Sequence, residues 1–287
     1  MLSAANYIRN RPVTSFVVLT FAISYGVGIP FNFVASSLFR LSDFWAIYLP
    51  RLVTVLGPAV AAIVVARAGG GSISVADLAR SLSIPVRYLP WLVVIVFVGV
   101  ATALAAFGLA GMPASQLFEI VRTSVPALGA HFLVQAAMIG VGEELGWRGW
   151  LLPSLAGGRT FASATALTGL AWTAWHMPVF FSGLASALGF LTLLAALSVV
   201  FAWLWIRGCR SAGIVALAHA SVNAPFFWLE SNVRARTVDA VITTKAFAYF
   251  SALYLCIAIV LLIQFRHIWS TMSAVSAAGR GPVLLRE

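Results

Sequence analysis

The sequence predicts an all-α, polytopic integral membrane protein of about eight transmembrane helices. Three observations lead to that fold class. Charged residues make up 9% of the chain and hydrophobic ones 61%. Soluble domains carry about 25% charged residues, so this chain has too few charges to cover a water-facing surface. The mean hydropathy is +0.99. Apolar runs of about 20 residues, the length that spans a hydrocarbon core, recur along the 287 residues with helix breakers between them. In lipid each run must satisfy its own backbone groups, which selects helix over strand.

The elements follow in order. Val13–Val34 is the first span. Arg9 and Arg11 ahead of it give the look of a signal peptide. The apolar run exceeds the roughly 7–15 residues of a signal h-region, however, and no A-x-A site closes it, so a retained span is expected. Phe44–Ala66 is the second, with Pro50 and Arg51 inside it, and Gly69-Gly70-Gly71 stops it. The polar stretch Ser72–Arg87 reads equally as a short amphipathic surface helix or a loop. Leu89–Ala110 is the third span, ended by Gly111-Met112-Pro113. Val125–Leu152 is the fourth, ended by Gly157-Gly158. Phe161–Phe181, Leu184–Ile206, Ala212–Leu229 and Lys245–Phe265 complete the set, with little but Gly183 to mark the bend between the fifth and sixth. No internal repeat stands out, and residues 1–287 read as a single transmembrane helical domain with its core at about 125–229.

The formal charge is +10 and the pI about 10.8. A nucleic-acid partner is not expected, because the basic residues form no stripe. They punctuate the apolar runs, as topology signals do. With the N-terminus inside, the inner segments hold Arg9, Arg11, Arg67, Arg80, Arg87, Arg148, Arg159, Arg207, Arg210, Arg266, Arg280 and Arg286, and the outer ones Arg40, Arg122, Arg234, Arg236 and Lys245. Twelve against five favours eight spans with both termini cytoplasmic. Cys209 and Cys256 have no disulfide or zinc spacing and read as two small hydrophobes.

Ionisable groups within spans cost about 2.5–3.5 kcal/mol each on insertion scales and mark functional sites. The fourth span carries Glu143, Glu144 and Arg148 in the run V-G-E-E-L-G-W-R-G-W, with His131 further out. Glu144 and Arg148 are four apart, share one helix face and read as a self-neutralising pair. Glu143 is turned away from that arginine, and a carboxyl beside a second carboxyl is suited to general-base work. The fifth span carries His176. The seventh carries His219 and Asn223, four apart on one face, a pair able to hold an oxyanion or to serve as helix–helix glue. His131 reads as interfacial, and Arg51 as snorkelling or paired within the bundle.

The constellation is thus Glu143-Glu144-x-x-x-Arg148, Trp172-x-x-x-His176 and His219-x-x-x-Asn223 on three separate spans. It resembles the CPBP family of intramembrane proteases, which includes CAAX prenyl endopeptidases and bacterial Abi-type relatives and whose motifs are EExxxR, FxxxH and HxxxN. The resemblance covers roughly Val125–Leu229. It implies an intramembrane endopeptidase that cuts a membrane-associated peptide or protein near the cytoplasmic face, without a metal or other cofactor. Glu143 would be the base that activates water and His176 its helper. His219 and Asn223 would stabilise the oxyanion, and Glu144 and Arg148 would shape the site. The second motif opens here with Trp172 where the family has Phe. A polar cavity open to the cytoplasm is expected around these residues. The Ala- and Arg-rich composition suggests a bacterial relative in the plasma membrane, where prenyl chains are not expected. Two other readings stay open: a zinc metalloprotease with Glu143, His176 and His219 as ligands, and a non-catalytic scaffold or immunity protein of the same fold.

Overall fold

The computed structural model describes residues 3–235 and 240–270, and among them every regular element is helical. Seven rods are long and apolar enough to cross a membrane. They are α1 (Pro12–Leu38), α2 (Asp43–Arg67), α3 (Val75–Leu109), α4 (Ala114–Ala156), α6 (Leu184–Arg207), α7 (Ala212–Val233) and α8 (Val241–Gln264). The predicted fifth span, α5 (Phe161–Trp175), is a 15-residue helix, about 22 Å long at 1.5 Å per residue and short of a hydrocarbon core of about 30 Å. Its ends explain its length. Thr160 caps the N-terminus by accepting from the Ser163 amide. Beyond His176, Pro178 disfavours helical geometry at Met177, and the chain tightens into a 3₁₀ turn over Met177–Ser182 before Gly183, at φ 111°, reverses it. Of the residues in the charge count, Arg236, Arg280 and Arg286 lie outside the described ones.

α7 is the central rod. Its most apolar window is 83% buried, against 17–44% for the other six. It packs against α4 and the Leu89–Leu109 part of α3, while α6 lies along α8 and α1 along α2. Small residues allow the closest approaches. A Cβ on Gly99 of α3 would fall 1.9 Å from the Ser221 carbonyl oxygen of α7, and one on Gly140 of α4 would fall 2.7 Å from the Ala216 Cβ.

α4 is not a plain α-helix. It widens to π geometry over Ala136–Glu144 and again over Trp147–Leu151, and such widening is rare and frequent at functional sites. The widened segment is wedged between α2 and α7. Its glycines leave room for α2: a Cβ on Gly142 would sit 2.4 Å from the Val55 carbonyl oxygen, and one on Gly146 would sit 2.5 Å from the Pro58 Cβ. Gly142-x-x-x-Gly146 is the small-xxx-small spacing by which membrane helices bring backbones together.

The remaining segments settle what the sequence left open. Ser72–Arg87 holds the start of the α3 rod, a seven-residue helix Val75–Ser81 opened by a reciprocal Ser74–Asp77 capping box and parted from Leu89–Leu109 by a 3₁₀ turn at Val86–Tyr88. α2 kinks through a 3₁₀ turn at Leu49–Arg51, where Pro50 sits. Exposed Arg51 donates to the Ile47 carbonyl at 2.9 Å. Both cysteines are exposed and unbridged.

Candidate active site

Adjacent residues of the widened α4 turn to different helices. Glu144 accepts from Arg148 Nη1, 3.0 Å from each carboxylate oxygen, and its Oε1 lies 2.7 Å from His219 Nδ1 on α7. Glu143 faces α5, where Trp172 Nε1–H donates to its Oε2 at 2.9 Å. The pairing expected between Glu144 and Arg148 is therefore present, and a third member, His219, belongs to it. Breaking such a buried ion pair by removing one partner costs about 3–5 kcal/mol.

Trp172 is the hub of the arrangement. Its indole lies beneath the Arg148 guanidinium at 4.5 Å, and Phe201 of α6 lies at 5.1 Å. Its ring meets His219 edge-on at 5.6 Å and His176 at 5.5 Å. One residue thus touches all three motifs: Glu143 and Arg148 of the first, His176 of its own, and His219 of the third. A Phe here would keep the stacking and lose the donor.

His176 closes α5 as its C-cap. Its Nδ1 lies 2.9 Å from the Trp172 carbonyl. A carbonyl only accepts, so Nδ1 carries the proton of the neutral ring and Nε2 keeps a lone pair. The ring is half-buried among Trp172, Trp175 and Phe190. Trp175 anchors this end of α5 to α1: its Nε1–H donates to Ser24 Oγ at 2.8 Å, and Tyr25 Oη–H donates to its carbonyl at 2.6 Å. This anchoring brings His176 into the cluster despite its distance along the chain.

Asn223 is one turn beyond His219 but is not drawn to the acids. It donates from Nδ2 to Gln135 Oε1 of α4 at 3.4 Å. His131, read as interfacial, is held within the bundle. It is 4% exposed, with the Tyr48 hydroxyl 2.6 Å from its Nδ1 and the Phe44 ring edge-on at 4.9 Å. The aromatic end of α2 folds over it, which a one-dimensional reading of the sequence does not register. Gln135 and Tyr48 were missed there as well. The available signal was spacing: His131, Gln135 and Glu143 recur at multiples of four along α4.

The acids are enclosed. Glu143 is 2% exposed, Glu144 0% and Arg148 1%. The open chamber expected from the sequence is thus shut at these side chains, where the buried rings of Trp172 and Phe201 lie against Glu143 and Arg148. A crevice too tight for a water molecule lies beside Arg148, lined by Leu152, Thr165, Thr168, Gly169, Ser198 and Ala202. Among the described residues no three His, Cys, Asp or Glu side chains converge as a metal site. Nδ1 of His176 is engaged by a carbonyl and Nδ1 of His219 by Glu144.

Fold and site together define a multi-pass helical membrane protein with a buried carboxylate–imidazole centre. The comparisons place it more closely. Residues 125–225 match the model of the Rce1-like family, described as type II CAAX prenyl endopeptidase Rce1-like. That segment holds all three motifs, so the resemblance to the CPBP family holds. A CAAX prenyl protease 2 of Methanococcus maripaludis is 25% identical over 92 residues, covering 28% of this chain and 34% of that protein. The chain therefore matches about a third of the length of this relative.

Proposed function

We propose that this chain is a glutamate-dependent intramembrane endopeptidase. The observation that carries the reading is the meeting of three sequence-distant motifs on Trp172, with Glu143 held by the indole N–H. In this mechanism Oε2 of Glu143 is fixed by Trp172, and Oε1 takes a proton from water as the water oxygen attacks the scissile carbonyl. His176, with its Nε2 lone pair, orients that water. The oxyanion is held by Asn223 and by His219, which, with Nδ1–H given to Glu144, donates from Nε2 as the imidazolium. The proton on Glu143 then passes to the leaving amine as the C–N bond breaks. This is the orienting logic of a carboxylate behind an imidazole, with a carboxylate as base. Opening of the enclosed site precedes binding, because water and peptide must both reach Glu143.

The substrate in this reading is a membrane-associated peptide or protein, cut near the cytoplasmic face. Counted with α5 and its 3₁₀ extension as one crossing, the arginine distribution supports both termini cytoplasmic, and the Ala- and Arg-rich composition supports a bacterial plasma membrane. The test uses the full chain in lipid nanodiscs with a prenylated CAAX peptide, and separately with membrane extracts, with products read by mass spectrometry. Two complementary fragments are expected from the wild type and none from Glu143→Gln. Intact substrates in both arms, with the protein folded, would refute the protease reading. The same result would favour a non-catalytic role of the fold.

A further inference from the structure

The last four carbonyls of a helix have no donor within it. Three of those at the end of α5 find partners in two ways. His176 serves two of them, with its amide on the Thr173 carbonyl and its ring Nδ1–H on that of Trp172. The Trp175 carbonyl instead accepts from the Tyr25 hydroxyl of α1 at 2.6 Å. The Trp175 side chain is tied to the same place. Its Nε1–H donates to Ser24 Oγ at 2.8 Å, and Ser24 Oγ–H donates on to the Thr54 carbonyl of α2 at 2.8 Å. An indole N–H only donates and a carbonyl only accepts, so every proton in this chain has one place to be.

The support behind Trp175 is itself close-packed. Ser24 and Tyr25 open a π turn, Ser24–Gly28, in α1, a geometry frequent at functional sites. A Cβ on Gly57 of α2 would overlap Ser24 Oγ, and one on Gly28 would sit 2.8 Å from the Thr54 Cα. Small residues thus let α1 and α2 meet backbone to backbone and hold Ser24 between them.

We infer that Ser24 and Tyr25 are positioning residues for His176, so that the first rod of the chain, outside residues 125–225, is part of the catalytic machinery. The inference deepens the protease reading and rests on it. Trp175 immediately precedes His176, and its ring meets the imidazole edge-on at 4.9 Å. Held by both its main chain and its side chain, Trp175 can neither slide along α5 nor turn about it. That fixes the backbone of His176, while the Trp172 carbonyl fixes the ring. Such fixing is needed here, because beyond His176 the chain leaves the α-helix for a 3₁₀ turn and reverses at Gly183. A misplacement of about 1 Å at a reacting group can cost about 10²-fold in rate.

The test is a double-mutant cycle on the full chain in nanodiscs, using the prenylated CAAX peptide. Tyr25→Phe removes one hydroxyl and should lower kcat by about 3- to 10-fold with KM unchanged. Ser24→Ala breaks the bonds to Trp175 and Thr54 and should lower kcat at least as far. In a His176→Ala background, itself slowed by about 10²–10⁴-fold, either change should alter kcat less than twofold, because the group they position is gone. Should Ser24→Ala fold poorly, Tyr25→Phe on a half-buried residue carries the test. ¹⁵N spectra of labelled histidine should show a protonated Nδ1 on His176 whose signal shifts in Tyr25→Phe. Equal losses in both backgrounds, or an unmoved His176 signal, would overturn the positioning role and leave the protease reading standing. A kcat raised by Tyr25→Phe would also overturn it and make the contact a latch that holds the site shut. No cleavage by the wild type would remove the protease reading, and this inference with it.

Discussion

Replacing Trp172 by Phe restores the aromatic found in the family's second motif and removes a single polar function, the indole N–H. That group donates to Glu143 Oε2 at 2.9 Å in a buried site. A hydrogen bond to a charged group contributes about 1.5–3 kcal/mol. The indole also lies 4.5 Å from the Arg148 guanidinium, and Phe is a weaker cation–π partner than Trp, which adds a few tenths of a kcal/mol. Together these come to about 2–3 kcal/mol. At 1.36 kcal/mol per tenfold, kcat should fall about 30- to 150-fold. The assay is steady-state cleavage of a prenylated CAAX peptide in nanodiscs, with thermal unfolding measured in parallel. The loss should fall on kcat, because the bond orients the base and not the substrate. A Trp172→Phe protein that turns over within twofold of wild type would show that the indole N–H does not set the carboxylate, and the hub argument would fail.

Other outcomes follow from the same geometry. Glu144→Ala leaves Arg148 buried and His219 without its orienting carboxylate, and should cost about 3–5 kcal/mol of stability, read as lost folded protein in size-exclusion chromatography. Wild-type yield from this variant would contradict the three-way pairing. Gly146→Ala drives a methyl against Pro58 at 2.5 Å and should cost about 1–3 kcal/mol by overpacking, visible as a lower Tm in detergent, whereas Gly26→Ala meets no atom within 4 Å and should leave Tm unchanged. Adding o-phenanthroline should leave the cleavage rate within twofold, and inhibition reversed by zinc would instead favour the metalloprotease.

The sequence made the chemistry legible and hid its wiring. Glu144 and Arg148 at a spacing of four gave the ion pair directly, because that spacing places two side chains on one helix face. His219 as a third member was not legible, since it lies 75 residues away and joins by helix packing alone. The adjacency of Glu143 and Glu144 showed that they diverge but not toward what, and the π geometry that sends one to α5 and the other to α7 has no periodic signature. The long apolar run Phe161–Phe181 read as a full span, because hydropathy does not register a helix stopped at His176 by a proline two positions on. The partners of His131 were not legible because the aromatic end of α2 that buries it is contributed by a different segment.

The most direct measurement is the turnover of Glu143→Gln against wild type, in the same nanodiscs and on the same peptide, with folding checked by Tm. Gln preserves shape and can still pair with Trp172 through its carbonyl oxygen, but it cannot take a proton from water. The account predicts a folded protein whose rate falls by at least about 10²–10⁴-fold, the range for losing a general base. A folded Glu143→Gln protein that cuts at the wild-type rate would contradict it.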